Sequence, residues 1–293
     1  MCCDRFYVPR SACGHLATMT GAKSKEEKKM RKLFAIALIL MLVLSCASAE
    51  TLRVGMECNY APYNWTQPEA SEYAVPLEGG GYADGYDVRI ARRIADYLGM
   101  DLEIVKTEWD GLVMSVVSGK IDCIIAGMSP TPERAQTIDF TDPYYEVDLV
   151  IVVRKDSAYA NATSLADFAG AKITGQLNTL HYDLIDQIPD VNKQTAMDTF
   201  TTMTVALNAG AIDGYVSEKP GAEGTIITNP DLTYVSFEEG KSFELDDADK
   251  LISIGVAKGS DLTARINEAL ATISDEERTQ IMSEAQAAQP TAE

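Results

Sequence analysis

An apolar run at residues 121–126, Ile-Asp-Cys-Ile-Ile-Ala, follows a predicted helix and a glycine and limits the folds that are open to this chain. A run without regular apolar–polar alternation indicates a strand that is buried on both faces, as in a parallel sheet covered by helices. Upstream, the pattern predicts strands at 51–56 and 102–105 and helices at 88–98, capped by Asp87, and 110–118. This order of strands and helices predicts an open α/β sheet.

The second half of the chain repeats this plan, with Gly-x-Ile-Asp at 119–122 and again at 210–213. We therefore predict two lobes, each an open mixed sheet flanked by helices. Apolar runs at 149–153 and 251–257 are interpreted as two strands of a hinge, and residues 66–85 as a long surface loop. The predicted boundaries are 50–152 for lobe 1, 153–252 for lobe 2, and 253–293 for a return to lobe 1 that ends in a helix. Within lobe 2 we predict strands at 171–175 and 212–216 and helices at 180–188 and 199–209.

Residues 30–49 have the organisation of a secretion signal: a basic start, an apolar run at 33–44 and Ala-Ser-Ala at 47–49. The run is too short to span a bilayer, which needs about 20 residues. A lipobox ending at Cys46 is an equal alternative, in which that cysteine becomes a lipidated N-terminus. Residues 1–29 are interpreted as a non-native extension from an upstream start. We expect Cys58 and Cys123 to be buried free thiols.

The net charge of −19 makes binding to nucleic acid unfavourable and mildly favours cationic ligands. We find no spacing typical of a metal site, no cofactor motif and no pair of nucleophile and base. His181 is predicted to lie on a helix surface. No catalytic residue is therefore predicted.

In open α/β sheets, ligands bind beyond the carboxyl ends of the strands. After the strand at 121–126, Thr131 and Pro132 are typical of a helix start, which suits a carboxylate, and Arg134 adds a bidentate donor. Glu218 follows the corresponding strand of the other lobe and suits an ammonium group. A surface salt bridge and a solvated acid are the plainer interpretations of these two residues. Tyr60 and Trp109 could flank a ligand side chain or belong to the core.

The chain resembles the family 3 extracellular solute-binding proteins, the polar amino-acid receptors of bacterial ABC importers. The similarity extends over about 51–272, in the family's order. The matching stretches are Leu-Arg-Val-Gly at 52–55, Tyr-Ala-Pro at 60–62, Gly-Tyr-Asp-Val at 85–88, Trp-Asp-Gly-Leu at 109–112, Ser-Gly-Lys-Ile-Asp at 118–122, Ile-Ala-Gly-Met-Ser at 125–129, Thr-Pro-Glu-Arg at 131–134 and Asp-Phe-Thr-Asp-Pro-Tyr-Tyr at 139–145.

This resemblance implies the two-lobed fold of type II periplasmic binding proteins, and a receptor that closes on a free L-amino acid and delivers it to a membrane permease. It implies that Arg134 binds the α-carboxylate, that Glu218 binds the α-ammonium group and that the acid at Glu57 binds the ligand side chain. The implied supporting groups are Tyr60, Trp109, Gly127, Ser129 and Thr179.

We expect a basic ligand, arginine or lysine, with glutamine, histidine or another neutral polar amino acid as the alternative. A third alternative is an enzyme of the cyclohexadienyl dehydratase type on the same fold. We further expect a monomer that lies in the periplasm or is anchored at the outer face of the membrane through Cys46.

Overall fold

A computed structural model of the chain describes residues 29–32 and 50–290, of which 50–290 belong to one compact unit. Residues 29–32 are helical. Most of the predicted signal segment, including the apolar run, Cys46 and the Ala-Ser-Ala pattern, lies outside the described residues, as does most of the predicted extension. None of the helices within the described ranges has the length and apolar character needed to cross a membrane.

Two five-stranded mixed sheets organise the unit, and we call each sheet with its helices a lobe. Each sheet contains two parallel pairings followed by two antiparallel pairings, so the two lobes share one topology. The order in lobe 1 is β6-β1-β7-β14-β8, and in lobe 2 it is β11-β10-β12-β9-β13. The strands of lobe 1 are β1 (Thr51–Met56), β6 (Asp101–Lys106), β7 (Cys123–Ile124), β8 (Ile138–Glu146) and β14 (Leu251–Ala257). Those of lobe 2 are β9 (Leu149–Arg154), β10 (Lys172–Thr174), β11 (Asn192–Lys193), β12 (Gly214–Glu218) and β13 (Leu232–Val235).

The repeated Gly-x-Ile-Asp motif makes the same contact in both lobes. Asp122 Oδ2 accepts a hydrogen bond from the backbone N–H of Arg53 at 2.8 Å, and Asp213 Oδ2 accepts one from Lys172 at 2.9 Å. Each aspartate also donates its own N–H to the backbone carbonyl of the same partner, Arg53 or Lys172, at 2.8 Å in both cases. The motif therefore sets the register between neighbouring parallel strands in each sheet.

The prediction of a surface loop at 66–85 is wrong, because this segment contributes to a small third sheet in the order β2-β3-β5-β4. Its Pro- and Gly-rich composition hid very short strands, whose antiparallel pairing joins positions between 4 (Tyr60 and Asn64) and 19 (Trp65 and Asp84) residues apart. The strands are β2 (Asn59–Tyr60), β3 (Asn64–Gln67), β4 (Val75–Pro76) and β5 (Tyr82–Asp84).

The helices predicted at 88–98, 110–118, 180–188 and 199–209 lie close to those positions, whereas the helix at 219–228 was not predicted. Gly85, rather than Asp87, is the N-cap of the first helix, and the Asp87 carboxylate instead accepts hydrogen bonds from Asn64 and Tyr144. The helices are α1 (Tyr86–Leu98), α2 (Leu112–Val117), α3 (Leu180–Leu184), α4 (Phe200–Asn208), α5 (Lys219–Thr228), α6 (Leu262–Leu270) and α7 (Asp275–Ala288). Single 3₁₀ turns occur at Trp109–Gly111, Arg134–Gln136, Leu165–Phe168, Ile185–Gln187 and Asp247–Lys250.

The two predicted hinge runs form strands β9 and β14, which lie in different sheets. The chain crosses between the lobes just before each of them, and these crossings lie side by side, since Val147 donates its N–H to the Lys250 carbonyl at 2.9 Å. The boundaries predicted at 152/153 and 252/253 stay a prediction.

Side chains from both lobes form the core. Residues 149–153 of β9 are all buried, and alternate side chains enter two different clusters on opposite faces of the sheet. The larger cluster continues from lobe 1 into lobe 2 through Tyr60 and Phe200. Cys58 and Cys123 are buried and unpaired, as predicted.

Candidate functional site

A cavity with about 310 Å³ of space between protein atoms lies between the carboxyl ends of the strands of the two lobes. Seven of the eight predicted site residues line it, and the eighth, Glu57, lies behind Gln176. The lining residues are Tyr60, Trp109, Ala126, Gly127, Ser129, Arg134, Gln176, Thr179, Leu180, His181, Phe200 and Glu218.

Arg134 supplies the positive charge of the cavity from lobe 1. Its guanidinium donates to the carbonyl of Ser129 at 2.9 Å and to that of Asn178, in lobe 2, at 3.0 Å. The Trp109 ring lies against it, with 5.1 Å between Cζ and the ring centroid. Burial lowers the pKa of Arg134 to about 10, so the side chain remains a cation at neutral pH.

The α-helix predicted to begin at Thr131 and Pro132 is absent from this part of the described chain. Thr131 Oγ1 does accept the backbone N–H of Arg134 at 3.3 Å, but the turn that follows is a three-residue 3₁₀ helix. Gln136 and Thr137 donate their N–H groups back within this turn. The segment therefore presents the guanidinium of Arg134 rather than the dipole of a long helix.

Glu218 supplies the negative charge from lobe 2, at the end of β12, and only 2% of its surface is exposed. Its Oε1 lies 3.1 Å from His181 Nε2, and its Oε2 accepts a hydrogen bond from the Tyr60 hydroxyl of lobe 1. Burial alone would raise the pKa of this carboxyl, but the imidazole and the hydroxyl hold it below its usual range. Glu218 is therefore a buried carboxylate.

The prediction that His181 lies on a helix surface is wrong, because only 7% of the residue is exposed and its ring faces Glu218. Helix α3 has five residues, which is too short for sequence periodicity to define its buried face. The imidazole also contacts Phe200 edge to face, with 5.8 Å between ring centroids.

Glu57 follows β1 and is 3% exposed. Its Oε1 accepts a hydrogen bond from Gln176 Nε2 at 3.0 Å. Burial raises the pKa of Glu57 to about 8, although the Gln176 hydrogen bond opposes this and the nearby acids add to it. Those acids, Glu108, Asp110 and Glu218, surround the carboxyl with negative charge. A positive group in its vicinity would restore the ionised form.

The aromatic residues of the cavity pack on protein groups. Tyr60 stacks on Phe200 across the lobes, with ring centroids 4.2 Å apart, and on Tyr63 at 5.0 Å. The indole N–H of Trp109 donates to the Asn178 carbonyl at 3.3 Å. The two rings predicted to flank one ligand side chain thus each have another partner in this structure.

The remaining predicted residues have backbone or supporting contacts. Gly127, with φ 62°, donates its N–H to the Tyr144 hydroxyl at 3.0 Å. Thr179 donates its hydroxyl to the Gln176 carbonyl at 2.7 Å, and Ser129 is buried at the cavity wall. Within the described ranges, no group of three or more His, Cys, Asp and Glu side chains could hold a metal ion.

Sequence reasoning did not select Gln176, Asn178, His181 and Phe200. The strand-end rule that identified Arg134 applies equally to Gln176 and Asn178, which follow β10. No comparable signal points to His181 or Phe200, because they reach the cavity from the first turns of α3 and α4.

The lobes are in contact around the cavity. Asn178 Nδ2 donates to Asp110 Oδ1 across the cleft at 2.8 Å, in addition to the contacts of its carbonyl. The volume open to the centre of a water molecule is about 10 Å³, which is enough for about one water. This is a closed arrangement, in which polar groups of each lobe form hydrogen bonds with polar groups of the other.

The chain is similar in sequence to known binding proteins over most of its length. The "Probable histidine-binding protein" of Campylobacter jejuni is 30% identical over 236 residues, which are 75% of this chain and 86% of that protein. The arginine-binding extracellular protein ArtP of Bacillus subtilis is 26% identical, with 85% of this chain and 93% of that protein covered.

The fold is similar to that of a solved amino acid ABC transporter substrate-binding protein from Streptococcus pneumoniae bound to L-arginine. The TM-score is 0.71 at 25% identity, and the match covers 81% of this chain and 94% of that one. The predicted two-lobed α/β architecture is therefore confirmed. The family model for bacterial extracellular solute-binding proteins, family 3, matches residues 52–285. The chain belongs to this family of extracellular solute-binding proteins.

Proposed function

We propose that the chain is an extracytoplasmic receptor that binds a free L-amino acid between its lobes and delivers it to an ABC importer. The observation that carries this proposal is the placement of two opposite charges, Arg134 of lobe 1 and Glu218 of lobe 2, at one buried cavity. A buried charge is costly unless it is paired. An α-carboxylate and an α-ammonium group would pair with these two side chains at once.

Glu57 supports a basic side chain on the ligand. Its carboxyl is buried among negative neighbours, so a guanidinium or ammonium group would gain a charge-assisted hydrogen bond there. The relatives from Bacillus subtilis and Streptococcus pneumoniae are named for arginine or bound to it, which favours arginine over lysine. Glutamine and histidine remain the alternative ligands, and the Campylobacter relative is named for histidine.

Binding would require the lobes to separate and close again, because the cavity in the closed arrangement holds about one water. The paired crossings near Val147 and Lys250 provide the place for this hinge motion. We further propose a monomeric receptor outside the cytoplasmic membrane that docks on a membrane permease. It would lie free in the periplasm or be anchored at the outer face of the membrane through Cys46, the two alternatives that the sequence leaves open.

Calorimetric titration of the purified, ligand-stripped chain with the twenty amino acids tests the proposal. One-to-one heat with arginine or lysine, lost in Arg134→Lys, is the expected result. Lysine keeps the charge but not the bidentate fork that holds a carboxylate. Binding of a neutral amino acid alone would contradict the preference for a basic ligand. The absence of binding heat with all twenty amino acids would contradict the receptor function.

A second candidate function rests on the contact of His181, Glu218 and Tyr60, because a buried imidazole beside a carboxylate can also transfer protons. The family resemblance makes dehydration of arogenate or prephenate the reaction to assay. Product formed by the wild-type chain and not by Glu218→Gln would favour this enzyme, whereas an inactive chain that binds amino acids would favour the receptor.

A further inference from the structure

The cavity contains a histidine for which the proposed receptor function has no assigned role. His181 Nε2 lies 3.1 Å from Glu218 Oε1, and both residues belong to lobe 2. The other ring nitrogen, Nδ1, is buried, and no hydrogen-bond partner for it is found among residues 29–32 and 50–290. One ring nitrogen therefore has a partner, the Glu218 carboxylate, and the other has none among the described residues.

The contact with Glu218 fixes where one proton of the ring lies. A carboxylate only accepts hydrogen bonds, so Nε2 must carry a hydrogen and donate it. In the neutral ring Nδ1 is then an acceptor with a free lone pair. In the protonated ring Nδ1 becomes a buried N–H donor, and an unpaired buried donor is costly.

Protonation of the ring also changes the charge seen by a ligand. The ring would form an ion pair with Glu218, the same carboxylate that is proposed to hold the ligand ammonium. A second cation at this carboxylate would repel that ammonium, and low exposure makes the repulsion strong.

Several charged or titratable groups face the imidazole. Glu218 of β12 and, through it, Tyr60 of β2 are in direct contact, while α4 presents the uncharged ring of Phe200. The other nearby charges are Arg134, Glu57 and Asp183. Glu218 interacts electrostatically with Arg134 and with Glu57, and Asp183 interacts with Arg134. Among these side chains, imidazole is the type whose ordinary pKa lets its charge change between pH 5 and 8.

We propose that His181 is a positioning residue that holds Glu218 for the ligand ammonium, and that protonation of its ring weakens ligand capture. The proposal rests on the receptor function proposed above. Neutral His181 fixes the Glu218 carboxylate by one hydrogen bond and leaves its charge uncompensated. The acid form competes with the ligand for that charge, so affinity falls as the pH falls.

The test compares affinity for arginine at pH 8.0 and pH 5.5 in the full chain and in His181→Gln. Glutamine has an amide N–H that can donate to Glu218, but it has no proton to gain in this pH range. Where only one protonation state binds, each pH unit beyond the titration changes affinity about tenfold.

The quantity to compare is the ratio of Kd at pH 5.5 to Kd at pH 8.0. Titration of Glu57 contributes equally to this ratio in the full chain and in His181→Gln, so the difference between them isolates residue 181. We expect the ratio to be smaller in His181→Gln, by up to about tenfold for each pH unit over which the ring is protonated. Equal ratios in the two proteins would overturn the role of His181 while leaving the receptor function intact.

The ring NMR signal of His181 provides a measurement that does not depend on a variant. Saturating arginine should shift the titration of this signal to lower pH. A His181 titration that arginine does not move would refute the proposal. A chain that binds no amino acid at any pH would instead refute the receptor function and, with it, the basis of this inference.

Discussion

Replacement of Glu57 by glutamine should stabilise the unliganded protein at neutral pH. Burial raises the pKa of Glu57 from an ordinary value of 4.5 to about 8. Between these two values the folded chain holds a proton on this carboxyl and the unfolded chain does not. Since the unfolded state binds fewer protons, stability is lost as the pH rises from about 4.5 to about 8.

The magnitude follows from this pKa difference. One pH unit corresponds to about 1.4 kcal/mol, so the free energy of unfolding at pH 7 is lowered by about 3 kcal/mol relative to pH 4.5. Glutamine has no carboxyl to protonate, and its carbonyl oxygen can still accept the hydrogen bond from Gln176. We therefore expect Glu57→Gln to raise the free energy of unfolding by about 3 kcal/mol at pH 7, and by much less at pH 4.5.

Urea denaturation at pH 4.5, 6, 7 and 8 measures this effect. Burial also raises the pKa of Asp87 to about 6, but that group is present in both proteins, and their difference isolates Glu57. Glu146→Gln, at an exposed position of β8, is the matched control and should show no comparable change. The same gain for Glu57→Gln at pH 4.5 as at pH 8, or no gain at either pH, would contradict the raised pKa of Glu57.

The same substitution should weaken arginine binding. A hydrogen bond to a charged group contributes about 1.5–3 kcal/mol, which corresponds to a loss of about 10- to 100-fold in affinity. A higher free energy of unfolding together with a lower arginine affinity would mean that the buried acid serves ligand binding at the expense of stability. A variant that is more stable and binds arginine as well as the wild type would refute a role for Glu57 in recognition.

Three further substitutions test the closed cavity and its frame. Arg134→Lys should lower arginine affinity about 100-fold in calorimetry, because lysine keeps the charge but loses the bidentate fork. Gly224→Ala should weaken binding and enlarge the particle seen by X-ray scattering, since its Cβ in lobe 2 would lie 2.9 Å from Pro62 Cδ and 3.3 Å from the Ala61 carbonyl oxygen of lobe 1. Gly85→Ala should lower the free energy of unfolding by about 2 kcal/mol or more, because φ is +130° and the Tyr63 carbonyl oxygen would lie 2.4 Å from Cβ. Gly240→Ala also places alanine at a positive φ, +73°, but with no atom within 4 Å of its Cβ, so it separates the cost of the backbone conformation from that of the close contact.

Sequence patterns predicted the two lobes because each element has a local signal. The apolar run at 121–126, the hinge runs and the repeated Gly-x-Ile-Asp motif all depend on residues that are close together in the chain. The third sheet was missed because its strands have only two to four residues, which is too short for an apolar–polar alternation to show. Their Pro- and Gly-rich surroundings are instead typical of a loop.

The features of the site likewise divide into those that a local rule located and those that it did not. Arg134 and Glu218 follow strands, so the rule that ligands bind at strand ends located them. The rule cannot tell what else contacts these charges. The contact of His181 with Glu218 joins positions 37 residues apart in the chain, and that of Tyr60 joins positions 158 residues apart. Both contacts depend on how the lobes and helices pack, which only the structure gives.

The contacts of the two central charges follow one scheme. Each charge has one partner in its own lobe, the Ser129 carbonyl for Arg134 and the His181 ring for Glu218. Each also has one partner from the opposite lobe, the Asn178 carbonyl and the Tyr60 hydroxyl. When the lobes separate, the first kind of contact persists and the second kind is lost. The atoms exposed by opening are therefore the ones a ligand carboxylate and ammonium would engage, while the contacts within each lobe keep both charges in position.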